Sequence, residues 1–289
     1  MSFLQNSSFQ NLDLLLVGIT IAAVGILGFI IFLNNRHSIT NRTFLLFSLI
    51  TIGYGIFNYL NYQVSDPSLI LWFIRFTIFF AVWHAFSFFQ LAYVFPEQHY
   101  TFSRKYIFLF IPLVALTSFL TLTPLVFSGI EQAPAGQVSQ PIPAPGIALF
   151  GGTVFFLILS GVFLLARKTI KAKGLEKTQL QIVSAGTFVT LSCLVIFNLI
   201  FPILLSNVQL IPLAPIFFLP FIVSTAYAIL RYGFLDIKVI ATEILTFVLA
   251  VVTLFEILFA QDIKVLIFRI TLFAAVLGFG ILLIRSVRK

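Results

Sequence analysis

The chain is 289 residues long, 60% hydrophobic and only 9% charged, with a mean hydropathy of +1.12. Soluble domains carry about 25% charged residues, so an ordinary globular protein is excluded and the chain reads as an integral membrane protein. Its formal charge of +8 would point to nucleic acid in a soluble domain; in a membrane protein the placement of the cations matters more than their sum, and no nucleic acid is expected.

The first eleven residues, MSFLQNSSFQN, hold no Lys or Arg, and the apolar stretch after them is long enough to span a bilayer. No cleavable signal peptide is therefore expected. A hydrocarbon core of about 30 Å takes roughly 20 apolar helical residues. Nine such runs follow in chain order: 12–33, 43–63, 68–95, 106–127, 147–166, 181–205, 209–230, 239–260 and 264–284. They are continuously apolar, whereas a barrel needs alternation over about ten residues per strand. The expected fold class is all-α, a polytopic helical membrane bundle. A seven-helix region over 1–238 is followed by two further helices over 239–289.

Polar residues inside such runs are costly and mark the places where function is sought. In the third run Thr77, His84 and Ser87 share one helical face, while Trp72, Arg75 and Gln90 share the other, so this helix is expected to be surrounded by others. Arg75 lies nearer the outer surface, where it can snorkel. His84, near mid-depth beside Trp83, is a candidate for ligand contact or proton transfer, or for a hydrogen bond across helices. After the fourth run, SGIEQAPAGQVSQPIPAPG (128–146) reads as a solvated, poorly structured loop. The basic segment RKTIKAKGLEKTQLQ (167–181) is expected to extend its flanking helices and to meet anionic lipid headgroups. The sixth run carries Ser184, Thr187, Thr190, Ser192 and Asn198, and the seventh carries Pro212, Pro215 and Pro220. Proline at mid-span kinks a helix, as a hinge or as a fixed bend. Arg75, His84, Ser87 and Asn198 are thus the candidate polar contacts. In the last two runs, Glu256, Lys264 and Arg269 lie near the outer end, where a local ion pair can close the hairpin.

Fourteen of the 17 basic residues fall in loops on one side of this map. The positive-inside rule then predicts an outside N-terminus and a cytoplasmic C-terminus in a multi-pass plasma (inner) membrane protein. His37, His84 and His99 belong to no HExxH or Cys/His cluster, and Cys193 is the single cysteine. There is no glycine-rich phosphate loop and no GxSxG, so no catalytic residue, metal or cofactor is expected. A transporter is the rival reading. Its usual signs are internal repeats with matching broken helices. The prolines here cluster in one helix, and Glu256 is the only carboxylate well inside a run.

Three stretches carry a family resemblance. FFQLAYVFPEQ (88–98) closes the third run, EKTQLQIVSAG (176–186) follows the fifth, and AYAILRYGFLDIK (226–238) follows the seventh. In this order the chain resembles the N-terminal seven-transmembrane region of bacterial sensor histidine kinases. Tyr227, Ile229, Arg231, Tyr232, Leu235, Asp236 and Ile237 fit the family's joint after the seventh helix, with Phe234 where the family has a leucine. The resemblance implies a sensor in a two-component system whose cytoplasmic exit passes movement onward. Besides the lipid bilayer, it implies as partners a small-molecule ligand, a kinase output and a second copy in a homodimer. The family's phosphoacceptor histidine and ATP-binding domain find no counterpart, so the chain is expected to be either the membrane part of a longer kinase or a stand-alone sensor. Gly233 favours a helix end with a turn, which makes Arg231, Tyr232, Gly233 and Asp236 a candidate coupling joint.

Overall fold

The computed structural model describes residues 7–64, 66–100, 102–104, 106–131, 140–201, 204, 210–232, 246, 267, 270–275 and 277–281. The chain divides into two compact units, Met1–Ala228 and Ile229–Lys289.

The first unit opens with three long helices, α1 (Ser7–Asn34), α2 (Ile39–Leu60) and α3 (Pro67–Val94). Local chemistry sets where they begin. Ser38 is extended (φ −67°, ψ 127°), and its hydroxyl accepts from the Asn41 amide, one of the donors a helix start leaves orphaned. Asp66 does the same for the Leu69 amide at 2.9 Å, with Pro67 in the first turn, where its missing N–H costs nothing. The Asn41 side chain also donates to the Ile31 carbonyl at 2.7 Å and so fixes the α1–α2 corner.

A π-helical turn, Tyr106–Phe110, leads into α4 (Ile111–Thr121). The expected fourth run reached residue 127, but the helix ends at Thr121 and the chain enters a strand. β1 (Phe127–Glu131) pairs antiparallel with β2 (Gln140–Pro143), with Ile130 opposite Pro141 and Glu131 opposite Gln140. For residues 128–131 and 140–143 this corrects the expectation of a poorly structured loop. Its prolines suit a two-stranded ribbon, in which every strand is an edge, and Val126 and Phe127 are buried where the ribbon begins. Residues 132–139 lie outside the described residues.

α5 (Ile147–Lys171) and α6 (Gly174–Val195) follow, and α6 continues into a π-helical turn, Ile196–Ile200. The basic segment does extend both helices, leaving a two-residue turn. Gly174 sits at φ +58°, a conformation that costs a residue with a Cβ about 1 kcal/mol or more. The last helix of the unit is broken. A 3₁₀ turn, Ile211–Leu213, and one helical turn, Ala214–Phe217, precede α7 (Leu219–Tyr232). Pro220 supplies no N–H to the preceding turn, so the helix restarts instead of running through.

α3 is the central helix, packed against α2, α4, α5 and β1. Its core cluster joins Val82, Ala85, Phe86 and Phe89 to Tyr106, Val114 and Leu157. Much of the phenylalanine excess goes into ring contacts, such as Phe57 stacked on Phe76 at 4.8 Å and on Phe80 at 5.6 Å. Among the described residues, six helices are long and apolar enough to cross a membrane: Leu15–Asn34, Ile39–Leu60, Pro67–Val94, Ile147–Lys171, Gly174–Asn198 and Ile211–Arg231. Tyr106–Thr121 and Ile270–Ile281 are shorter apolar helices. The expected eighth run lies outside the described residues except at Thr246. In the second unit Thr246 is packed so closely on Gly280 that a Cβ there would collide with its side chain.

Candidate functional site

Three elements converge on His84. Its Nε2 lies 3.0 Å from Thr51 Oγ1 of α2. The Thr51 hydroxyl already donates to the Phe47 carbonyl at 2.8 Å, so Thr51 is the acceptor and His84 Nε2 the donor. Rings enclose the imidazole: Phe47 at 4.5 Å, Phe218 at 4.2 Å and Tyr54 at 6.1 Å between centroids. Phe218 is the residue at the break between Ala214–Phe217 and α7. The histidine of the third helix therefore packs on the break before α7. His84 thus makes a cross-helix hydrogen bond to α2.

Below Phe218 the contact continues. Phe221 meets Phe47 at 5.0 Å and Phe88 at 5.3 Å, and its backbone N–H donates to Thr190 Oγ1 of α6 at 3.0 Å. A cavity of about 40 Å³ lies between these groups, lined among others by His84, Phe88, Thr187, Thr190 and Phe218. That volume suits one to a few waters, against the several hundred cubic ångströms of organic ligand sites. On the other side of the break, Asn58 Nδ2 donates to the Ile211 carbonyl at 3.0 Å and reaches that of Pro212 at 3.4 Å.

The other candidates are placed elsewhere. Ser87 is fully buried, and its hydroxyl donates to the His84 carbonyl of its own helix at 3.0 Å. Arg75 is nine residues from His84, about 14 Å along the axis. Arg75 is buried, its Nη2 donates to the Phe127 carbonyl at 2.9 Å, and its guanidinium lies 5.3 Å from the Trp72 ring centre. It thus ties α3 to β1, while its Nε is buried without a partner. Asn198 lies on the π-helical turn after α6, with Oδ1 buried and unpartnered. Arg231 is exposed in the last turn of α7, which ends at Tyr232; Gly233 and Asp236 of the expected joint lie outside the described residues.

At the opposite end from the hairpin, where Arg36, Arg42, Arg167, Lys171 and Lys173 gather, two further contacts escaped the sequence. Lys168 Nζ of α5 donates to the carbonyls of Tyr93 and Phe95 at 2.6 and 2.7 Å, and so caps the C-terminus of α3. Gln179 Nε2 of α6 donates to the Ala228 carbonyl of α7 at 3.2 Å. The second and third of the three sequence stretches therefore touch each other, and Phe88 of the first touches the last helix through Phe221. Among the described residues no three His, Cys, Asp or Glu side chains come together as metal ligands.

One family model matches residues 15–238, that of the N-terminal 7TM region of histidine kinase. The chain belongs to this family. No curated protein and no solved structure matches it significantly. The matched region contains the whole His84 cluster, the broken helix, Lys168 and Gln179, and it closes at Lys238, the end of the third stretch. The chain is a multi-pass membrane protein of the sensory-region type, and its match covers no kinase catalytic domain.

Proposed function

We propose that this 7TM region is the sensory input of a signalling protein, and that the break before α7 is where the state of the bundle is read. The observation that carries the reading is His84, hydrogen-bonded to Thr51 and packed on Phe218 at that break. A sensor needs two bundle arrangements that differ in affinity for the stimulus, not a path through the membrane. Two packings of Phe218 against His84 would set two positions of α7, whose last turn, with Arg231 and Tyr232, leads into the coupling joint at Gly233 and Asp236. The small cavity beside His84 leaves little room for an organic stimulus there, so movement of helices and not occupancy is the signal at this point. Arg75 and the hairpin form the other end, where an external stimulus would arrive. The cation distribution supports an outside N-terminus and a cytoplasmic exit after the last helix.

The test is a full-chain fusion to a histidine-kinase output, reconstituted in vesicles. Thr51→Val removes the acceptor of His84 at nearly constant volume. It is expected to shift basal autophosphorylation several-fold in either direction while the melting temperature of the membrane part changes by a few degrees. Unchanged basal and stimulated output with Thr51→Val and with Phe218→Leu would overturn the reading. So would proton- or ion-coupled solute accumulation by the purified protein, which is what a transporter predicts.

A further inference from the structure

At the basic end lies an open cleft of about 620 Å³ between the end of α3 and the α5–α6 turn. Its walls are Arg167, Lys168, Lys171 and Lys173, facing Glu97 and Glu176, over Leu164 and Pro96. Four cations against two carboxylates leave a formal +2. Lys168 is spent on the Tyr93 and Phe95 carbonyls, but no hydrogen bond or ion pair among the described residues occupies Arg167, Lys171 or Lys173. The depth of the cleft is set by helix length. α5 has 25 residues, about 37 Å at 1.5 Å per residue, against a hydrocarbon core of about 30 Å. Its only charged residues, Arg167, Lys168 and Lys171, all lie in its final turns, so that end is the one that extends to headgroup level. The helices that wall the cleft also expose apolar side chains: Phe163, Ile170 and Leu175 are 64%, 81% and 68% exposed. A ligand here meets cations at one end and lipid-facing hydrocarbon at the other.

We propose that this cleft binds an anionic membrane phospholipid. Its phosphodiester sits among Arg167, Lys171 and Lys173, and its acyl chains lie along Leu164 and Phe163. Basic pockets between helices at headgroup depth recognise such lipids, at about 1 kcal/mol per cation near the surface, which is roughly fivefold in affinity each. The bound lipid would rest against the Lys168 clamp, which joins α5 to the end of α3. The site stands apart from the His84 cluster, so either assignment can fail alone.

The experiment uses the full chain, purified and exchanged into nanodiscs of phosphatidylcholine with or without phosphatidylglycerol. Native mass spectrometry counts retained lipids, and thermal unfolding reports stabilisation. Wild-type protein is expected to retain phosphatidylglycerol preferentially and to melt higher in its presence. Replacing Arg167, Lys171 and Lys173 together by Gln should lower that preference by roughly 100-fold and abolish the added stabilisation. The melting temperature in phosphatidylcholine alone should stay near wild type. The single reversal Lys171→Glu, a milder change to folding, should lower the preference as well. A control triple, Arg36→Gln with Arg104→Gln and Lys177→Gln, removes equal charge outside the cleft and should keep the preference. Equal loss in the control would mean a diffuse surface field and overturn the site. Equal stabilisation by millimolar inorganic phosphate would overturn the lipid assignment, and retained preference in the cleft triple would overturn both.

Discussion

The hydroxyl of Thr190 takes the place of a backbone acceptor. At the restart of α7, Phe221 is among the first amides, which have no carbonyl behind them within the helix, and Thr190 Oγ1 accepts its hydrogen from the neighbouring helix. Thr190→Val keeps the shape and leaves a buried N–H unpaired. It should cost about 1–2 kcal/mol, seen as lowered thermal stability in detergent and as faster amide exchange at Phe221. Lys168 does similar service at the other end of the bundle, for two carbonyls at once. Hydrogen bonds to a charged donor contribute about 1.5–3 kcal/mol each net of the exchange with water, and at most the lower end applies because Lys168 is only half-buried. Lys168→Met should therefore cost about 2 kcal/mol in total, with faster exchange concentrated at the end of α3. A cost under a few tenths of a kcal/mol would show that water replaces the ammonium without loss. Arg75→Gln shortens the side chain that holds Phe127. Protease cleavage between residues 127 and 143 should then become several-fold faster, while the helices stay protected.

Between elements, close approach is achieved by removing side chains. A Cβ at Gly186 of α6 would collide with the Ser224 side chain and come 2.6 Å from the Pro220 carbonyl oxygen of α7. Small residues at helix interfaces let backbones approach where no hydrophobic force drives helices together in lipid. Gly186→Ala should therefore push α6 from α7 and cost about 1–3 kcal/mol by overpacking. Gly152→Ala in α5 is the control, because nothing lies within 4 Å of its Cβ; helix propensity alone should make it neutral or slightly stabilising. Equal melting temperatures for the two variants would refute the tight α6–α7 contact. The prolines of the last helix were legible as a bend. That the bend falls at Phe218, against His84, was not, because the partner belongs to an element more than a hundred residues earlier in the chain.

For the whole molecule, the distribution of cations makes a prediction about sidedness. In intact cells Ser139→Cys should react with an impermeant thiol reagent and Lys173→Cys should not, each in a Cys193→Ala background. The reverse pattern would invert the bundle and place the lipid cleft in the other leaflet. The Arg75 hairpin would then face the cytoplasm, and the proposed direction of signalling would fail with it.

From composition and periodicity the chain could be placed in a bilayer, most of its helices located, and a basic, partly polar segment seen to extend α5 and α6. Those properties are local: run length, charge content and turn chemistry are complete within about 20 consecutive residues. The resemblance carried by three short stretches held for residues 15–238. Only the folded contacts show that Thr51 receives the hydrogen of His84, 33 residues away, that Lys168 caps a helix that ends more than seventy residues earlier, and that residues 127–131 and 140–143 pair as a ribbon held by Arg75. In a membrane nearly every face is apolar, so hydropathy cannot rank one helix pairing above another. Hydrogen bonds and close contacts between distant residues decide it, because an unsatisfied polar group in hydrocarbon costs several kcal/mol.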